Sequence, residues 1–186
     1  MLKGKTLKAR CYREVKGQPY VRKEYIKGHP PPKISKFTMG NASAKFDYQL
    51  KLIAEEAAQI RHNALEAARV ATNRYLQKML GNDGYCLRIL PYPHVVLREN
   101  KMIFGAHADR LQEGMRRAFG KPIGTAARVR PNQAIITVNV NENGINIAKE
   151  ALRRGKAKLP VPCRICLLYT SPSPRDLSTS RMPSSA

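Results

Sequence analysis

Residues 98–125 read RENKMIFGAHADRLQEGMRRAFGKPIGT, and this stretch decides how the rest of the chain is divided. A strand signal precedes it and another follows it, yet it shows no alternation of its own. Connections this long without regular structure are uncommon inside a compact domain, and those that occur are usually functional or disordered. Arg98, Lys101, Arg110, Arg116, Arg117 and Lys121 stand here against Glu99, Asp109 and Glu113. Gly105, Gly114, Gly120 and Gly124 let the backbone bend where larger residues resist. The expectation is a cationic, glycine-jointed arm that reaches from a scaffold into something polyanionic. A plain solvated surface loop is the alternative.

Working outward, the chain before the arm reads as follows. Tyr85, Leu87 and Ile89 alternate with Cys86, Arg88 and Leu90, a strand by period. Pro91-Tyr92-Pro93 interrupts it at an edge or bulge, and residues 94–98 resume extended structure. Upstream, residues 63–80 predict the best helix of the chain. Asn63 can cap its start, Glu66 sits at the capping-box position, and Gly81 is placed to end it. Phe46, Tyr48, Leu50 and Leu52 predict a further strand, with a competing helix over residues 48–58 because Ala54 to Ala58 are good helix formers. Residues 34–39 alternate before a turn at Gly40-Asn41.

Beyond the arm, residues 126–130, a turn at Pro131-Asn132-Gln133 and residues 134–140 read as a strand pair. A second helix is predicted after Asn146, with Ile147, Ala151 and Leu152 inward. Arg153, Arg154, Lys156 and Lys158 cluster at its C-terminal end, where cations suit the helix dipole. Cys163-Arg164-Ile165 begins a last strand. The fold class expected is α/β (α+β): two helices on mixed or antiparallel strands. The division expected is a basic extension (1–36), a single domain (37–165) and a tail (166–186).

The formal net charge is +21 and the isoelectric point about 10.3. Self-repulsion of that size disfavours an isolated compact domain, so a counter-charged partner is expected. With no apolar run long enough for a membrane span and no signal peptide, the expected location is cytoplasmic. Residues 1–36 hold eight Lys and three Arg against Glu14 and Glu24, with Tyr12, Tyr20 and Tyr25 interleaved and Pro30-Pro31-Pro32 excluding helix. Cations among rings suit RNA, where ammonium and guanidinium groups meet phosphates.

The chemistry of catalysis is not legible. Gly114 to Lys121 approaches a phosphate-binding loop, but the glycines are one residue too far apart and Pro122 replaces the metal-binding Ser/Thr. His62, His94 and His107 with Asp109 offer a conceivable acid/base or metal set. But His107-x-Asp109 lacks a third ligand at motif spacing, Asp109 can equally cap a short turn through Leu111 and Met115, and acidic residues are scattered. Cys163 and Cys166 form one C-x-x-C with no second pair, so reduced, unligated thiols are expected. No metal, no cofactor and no enzymatic activity are expected. Two other readings stay open: an RNA-modifying enzyme using His107 and Asp109, and a free-standing RNA chaperone.

Several segments carry a resemblance. GQPYVRKEYIKGHPPPKISKFTMGN (17–41), QIRHNALEAARVATNRYLQKML (59–80), PHVVLRENKM (93–102), GAHADRLQEGMRRAFGKPIGTAARV (105–129) and EALRRGKAKLPVPCRI (150–165) resemble one family through residues 8–165. It is the large-subunit ribosomal protein family called L-sixteen in bacteria and L-ten-e in archaea and eukaryotes. The chain lacks the acidic insertion of eukaryotic members after Gly40-Asn41 and so looks archaeal. The resemblance implies an α/β-hammerhead fold on large-subunit rRNA, between the central protuberance and the stalk base and beside A-site tRNA. It implies that Arg98 to Lys121 match the arm pointing at the peptidyl transferase centre, and that neighbouring ribosomal proteins are partners. In eukaryotic relatives the protein joins late in subunit maturation.

The residues expected on rRNA are Arg10, Arg13, Lys16, Tyr20, Arg22, Lys23, Lys27, Lys33, Arg61, Arg69, Arg74, Arg88, Arg128 and Arg130. Those expected near tRNA are Arg98, Lys101, Arg110, Arg116, Arg117 and Lys121. Residues 166–186 are low-complexity, carry only +1 (Arg175 and Arg181 against Asp176), and resemble translated cloning-adapter sequence, which would leave the natural C-terminus missing.

Overall fold

A computed structural model of the chain describes residues 12–15, 17, 22–102 and 113–169, with only the backbone of Lys23. Among these residues, eight strands and two α-helices follow in order: β1 (Thr38–Gly40), β2 (Tyr48–Ala54), β3 (Ala58–Arg61), α1 (His62–Leu80), β4 (Tyr85–Ile89), β5 (Val95–Glu99), β6 (Lys121–Val129), β7 (Ala134–Val140), α2 (Ile145–Lys156) and β8 (Cys163–Tyr169). They form two sheets, β1-β4-β7-β2-β8 and β3-β6-β5, and every pairing is antiparallel. The α+β class is as expected, without the mixed strands allowed for.

Strand period explains the first sheet. Leu50 and Leu52 lie opposite Val138 and Ile136, which lie opposite Leu87 and Ile89, and all of these side chains are buried. This face meets Leu65, Ala68 and Leu76 of α1 and Ala148, Ala151 and Leu152 of α2. Each fully buried Leu or Ile here stabilises the fold by about 1.5–3 kcal/mol relative to its exposed state. Tyr85, 1 % exposed, donates its hydroxyl to Asn73 Oδ1 at 2.7 Å and so ties β4 to α1. A second, small core holds Tyr12, Leu97 and Ala126 with Ile123 against the three-stranded sheet.

The sheets separate at one corner, which corrects two expectations. Residues 126–130 and 134–140 are not a pair: β6 lies between β3 and β5, while β7 lies between β4 and β2. Pro131 removes an N–H and Asn132 takes a left-handed φ of 63°, so the chain leaves one sheet for the other. The neighbouring crossover from β2 to β3 pins this turn, because Asn132 N donates to Ala54 O at 2.8 Å and Ala54 N to Gln133 O at 2.9 Å. Pro91-Tyr92-Pro93 likewise carries the chain from one sheet to the other and is no bulge within a strand.

Other element boundaries move as well. Strand wins over helix at 48–54. The helix start shifts: α1 begins at His62, Arg61 holds the cap position in extended conformation, and no side chain caps it. Glu66 faces Arg69 instead of completing a capping box with Asn63. Gly81 does end the helix, with φ 71° and its N–H bonded to Gln77 O. β8 runs four residues past Ile165, pairing Tyr169 with Tyr48. Among the described residues, no helix is long and apolar enough to cross a membrane.

Candidate nucleic-acid interface

The arm is shorter than its sequence suggested, because its ends are strand. Glu99 pairs with Lys121 and Val96 with Thr125, so the connection runs between residues 99 and 121. Gly124 breaks the alternation that would have revealed β6 earlier. At the base, the Arg98 guanidinium donates to Gly120 O at 3.0 Å and lies 4.5 Å from the centre of the Phe119 ring. A Cβ on Gly120 would come within 2.7 Å of the Glu99 backbone, so only glycine allows this approach. Arg98 is therefore a clasp at the root of the arm more than a projecting cation.

The returning limb turns tightly at residues 114–117, with Arg116 N donating to Glu113 O and Arg117 at φ 58°. Arg117 pairs loosely with Glu113 at 3.4 Å, while Arg116 and Lys121 are exposed. Met115 and Phe119 are 84 % and 80 % exposed. Large apolar groups standing in water beside cations suit a surface that is covered when in use. Sequence reasoning singled out the cations and passed over these two; their signal was an apolar residue on either side of Arg116-Arg117. Lys101 is exposed at the outgoing side. Arg110, His107 and Asp109 lie outside the described residues.

The basic extension is partly folded onto the body. Gln59 N donates to Arg13 O at 2.9 Å, Gln59 Nε2 to Glu14 O at 2.7 Å, and Arg128 to Gly17 O at 2.6 Å. Arg13 pairs with Glu56, and Arg61 lies 5.7 Å from the centre of the Tyr12 ring. Arg13, Arg61 and Arg128 thus hold residues 12–15 and 17 against the edge strand β3. The exposed Arg13–Glu56 pair contributes about 0–1 kcal/mol. Arg10, Lys16 and Tyr20 lie outside the described residues, as does the side chain of Lys23. Arg22 and Lys27 are exposed.

The remaining cations divide by partner. Arg69, with a side chain only 16 % exposed, is bound by Glu66 through two contacts of 2.8 and 2.5 Å. That hydrogen bond raises its pKa further. Arg74, Lys33, Arg88 and Arg130 are exposed without an acidic partner among the described residues. Arg88 stands on the helix-free face of the first sheet, in a register row with Thr38, Thr137, Lys51 and Cys166. Lys33 and Arg74 share a groove on the outer side of α1, with Lys158 from beyond α2.

His62, Cys163 and Cys166 sit in structural surroundings, while His107 and Asp109 lie outside the described residues. His62 is buried; its Nδ1 faces the Lys33 N–H at 3.3 Å and Thr125 Oγ1 at 3.1 Å. Burial, and then Lys33 and Arg61, push its pKa down, so the ring is held neutral. Cys163 and Cys166 are three apart on one strand and so face opposite sides. Burial pushes the Cys163 thiol up, and its Sγ contacts Val161 O at 3.3 Å. Among the described residues no three His, Cys, Asp or Glu side chains gather as a metal site.

Fold and surface together define a class: a basic α+β protein whose unpaired cations lie outside and whose longest connection carries more of them. Comparison makes this particular. The ribosomal protein L16p/L10e family model matches residues 15–166. The large ribosomal subunit protein uL16 of Hyperthermus butylicus is 58 % identical over 162 residues, covering 84 % of this chain and 90 % of that protein. Those of Staphylothermus marinus and Sulfolobus acidocaldarius are 59 % and 52 % identical, each over 84 % of this chain and 90 % of theirs. The chain belongs to the ribosomal protein L16p/L10e family. The resemblance read from its segments is borne out, including its archaeal character. A non-catalytic role also stands, since this is a family of ribosomal proteins and not of enzymes.

Proposed function

We propose that this chain is a structural constituent of the large ribosomal subunit. It binds rRNA beside the A-site tRNA and lets its arm support tRNA near the peptidyl transferase centre. The observation that carries the reading is the clasped arm: a rigid hairpin root at Arg98 and Gly120 presenting Arg116, Lys121, Met115 and Phe119 to the outside. Membership of the ribosomal protein L16p/L10e family, and relatives that are large ribosomal subunit proteins, support the ribosomal assignment.

The physical division of labour is as follows. Arg22, Lys27, Lys33, Arg74, Arg88 and Arg130 neutralise rRNA phosphates, fixing position without reading sequence. Arg13, Arg61 and Arg128 act indirectly by seating the N-terminal segment, whose further cations extend the same contact. Arg98 fixes the direction of the arm, Lys121 meets RNA at its root, and Arg116 and Arg117, together with Arg110, meet RNA beyond it. The apolar Met115 and Phe119 pack on ribose or base surfaces that water leaves.

The test replaces Arg110, Arg116 and Arg117 with Ala together. Large subunits carrying this variant are expected to assemble with the protein present but to accommodate A-site tRNA slowly. Normal accommodation rates would refute the arm's role.

A further inference from the structure

The outer side of α1 carries a groove of about 490 Å³, lined by Lys33, Asn63, Ala67, Val70, Arg74 and Lys158, with Ala71 and Glu66 completing it. Resting on the RNA-binding reading above, we infer that this groove seats a single ribose–phosphate strand of RNA, without regard to base sequence. Three observations point there. First, three cations from three separate segments converge on one hollow, while the only carboxylate lining it among the described residues, Glu66, is already bound by Arg69. The field in the groove is therefore positive.

Second, the floor is aliphatic and shallow. Val70 is 37 % exposed, on a helix whose opposite side (Leu65, Ala68, Leu76) is fully buried. Small side chains leave room for the sugar to approach, and its carbon faces cover what is otherwise wet apolar surface. Third, among the described residues no aromatic ring lines the groove, so a base has nothing to stack on, and stacking is how unpaired bases are usually held. Nor is there a deep pocket for the anchoring side chain that dominates most protein interfaces. What remains is backbone recognition: phosphates on Lys33, Arg74 and Lys158, and sugar on Ala67, Val70 and Ala71. The Asn63 amide at the rim can pair with a ribose hydroxyl, the group that distinguishes RNA from DNA.

The experiment uses the full chain and two substitutions of equal charge on one helix. V70E puts a carboxylate on the groove floor; M79E puts one at the exposed far end of α1, where Met79 is 50 % exposed. Binding to fluorescent oligouridylate and oligocytidylate is followed by anisotropy, with helix content checked by circular dichroism. V70E is expected to weaken both RNAs by about tenfold more than M79E. K158A, which leaves the floor untouched, is expected to weaken both alike and make the salt slope shallower by about one. Equal losses for V70E and M79E, an unchanged slope for K158A, or displacement of RNA by oligoglutamate as readily as by unlabelled RNA would each overturn the groove assignment. Failure of the unsubstituted chain to bind RNA would instead refute the broader reading.

Discussion

Gly155 and Thr72 meet where the two helices cross: a Cβ built on Gly155 would lie 2.4 Å from Thr72 Oγ1. That hydroxyl is not free to turn aside, because it is fully buried and donates to Ala68 O at 2.8 Å. The pair sets how closely α2 approaches α1, and through both helices how the first sheet is covered.

Gly155→Ala is therefore expected to destabilise despite alanine's better helix propensity. Overpacking costs about 1–3 kcal/mol, against a helix gain of about 1 kcal/mol. In a Thr72→Ala background the clash is gone and the same substitution should become neutral or stabilising. Urea midpoints of the four proteins give the coupling; additive effects would show that the helices do not touch here.

His62 gives the stability a pH dependence of known sign. Its folded pKa is lowered, first by burial and then by Lys33 and Arg61, below the ordinary value near 6.5. The unfolded chain thus binds the proton first. Stability is full above that ordinary value and declines as pH falls through it toward the lower folded pKa. Comparing urea midpoints between pH 7.5 and 5.5 should show this decline in the parent chain and its reduction in His62→Gln, which keeps His29, His94 and His107. A slope unchanged by the substitution would exclude His62 as its source.

Arg98→Ala removes both the bond to Gly120 O and the contact with Phe119. Because Arg98 lies at the end of β5, global unfolding should shift by only about 1 kcal/mol. Limited proteolysis between residues 99 and 121 should quicken several-fold. Arg98→Lys should not restore protection, since an ammonium cannot both lie flat on the ring and keep the fork geometry. Cleavage as slow as in the parent would show that the clasp does not hold the arm.

Binding to the isolated rRNA site should be steeply salt-dependent. With ~6–10 phosphate contacts, affinity should drop by about 10³–10⁵ between 50 and 200 mM salt. Arg69→Ala should flatten that slope less than Arg74→Ala, because Arg69 is already bound to Glu66. Equal effects would mean the Arg69–Glu66 pair opens on RNA.

Much of this was legible in residue order, and the failures have physical causes. Strand β2 alternates because one face is buried and the other half-exposed, and alternation is what a sequence displays. β4 and β7 alternate only in part, since Cys86, Ile135 and Thr137 on their second face are buried too. Sheet partnership is not displayed: residues 126–130 and 134–140 both alternate, yet Pro131 and Asn132 send them into different sheets. Nor did the charge pattern separate exposed cations from engaged ones. Arg69 and Arg74 look alike in the helix, but only the former faces Glu66 and Met39. Phe119 was invisible as a surface group because a lone aromatic reads as core. Asn63 failed as a cap because β3 runs directly into α1, so the extended Arg61 takes that place.

The most direct measurement is sucrose-gradient sedimentation of cell extract, with the protein followed across the profile at moderate salt and again after a high-salt wash. It should travel with the large subunit and with whole ribosomes, stay with the large subunit on dissociation, and leave only as the salt is raised. A protein that remains at the top of the gradient, away from large subunits, would contradict the account.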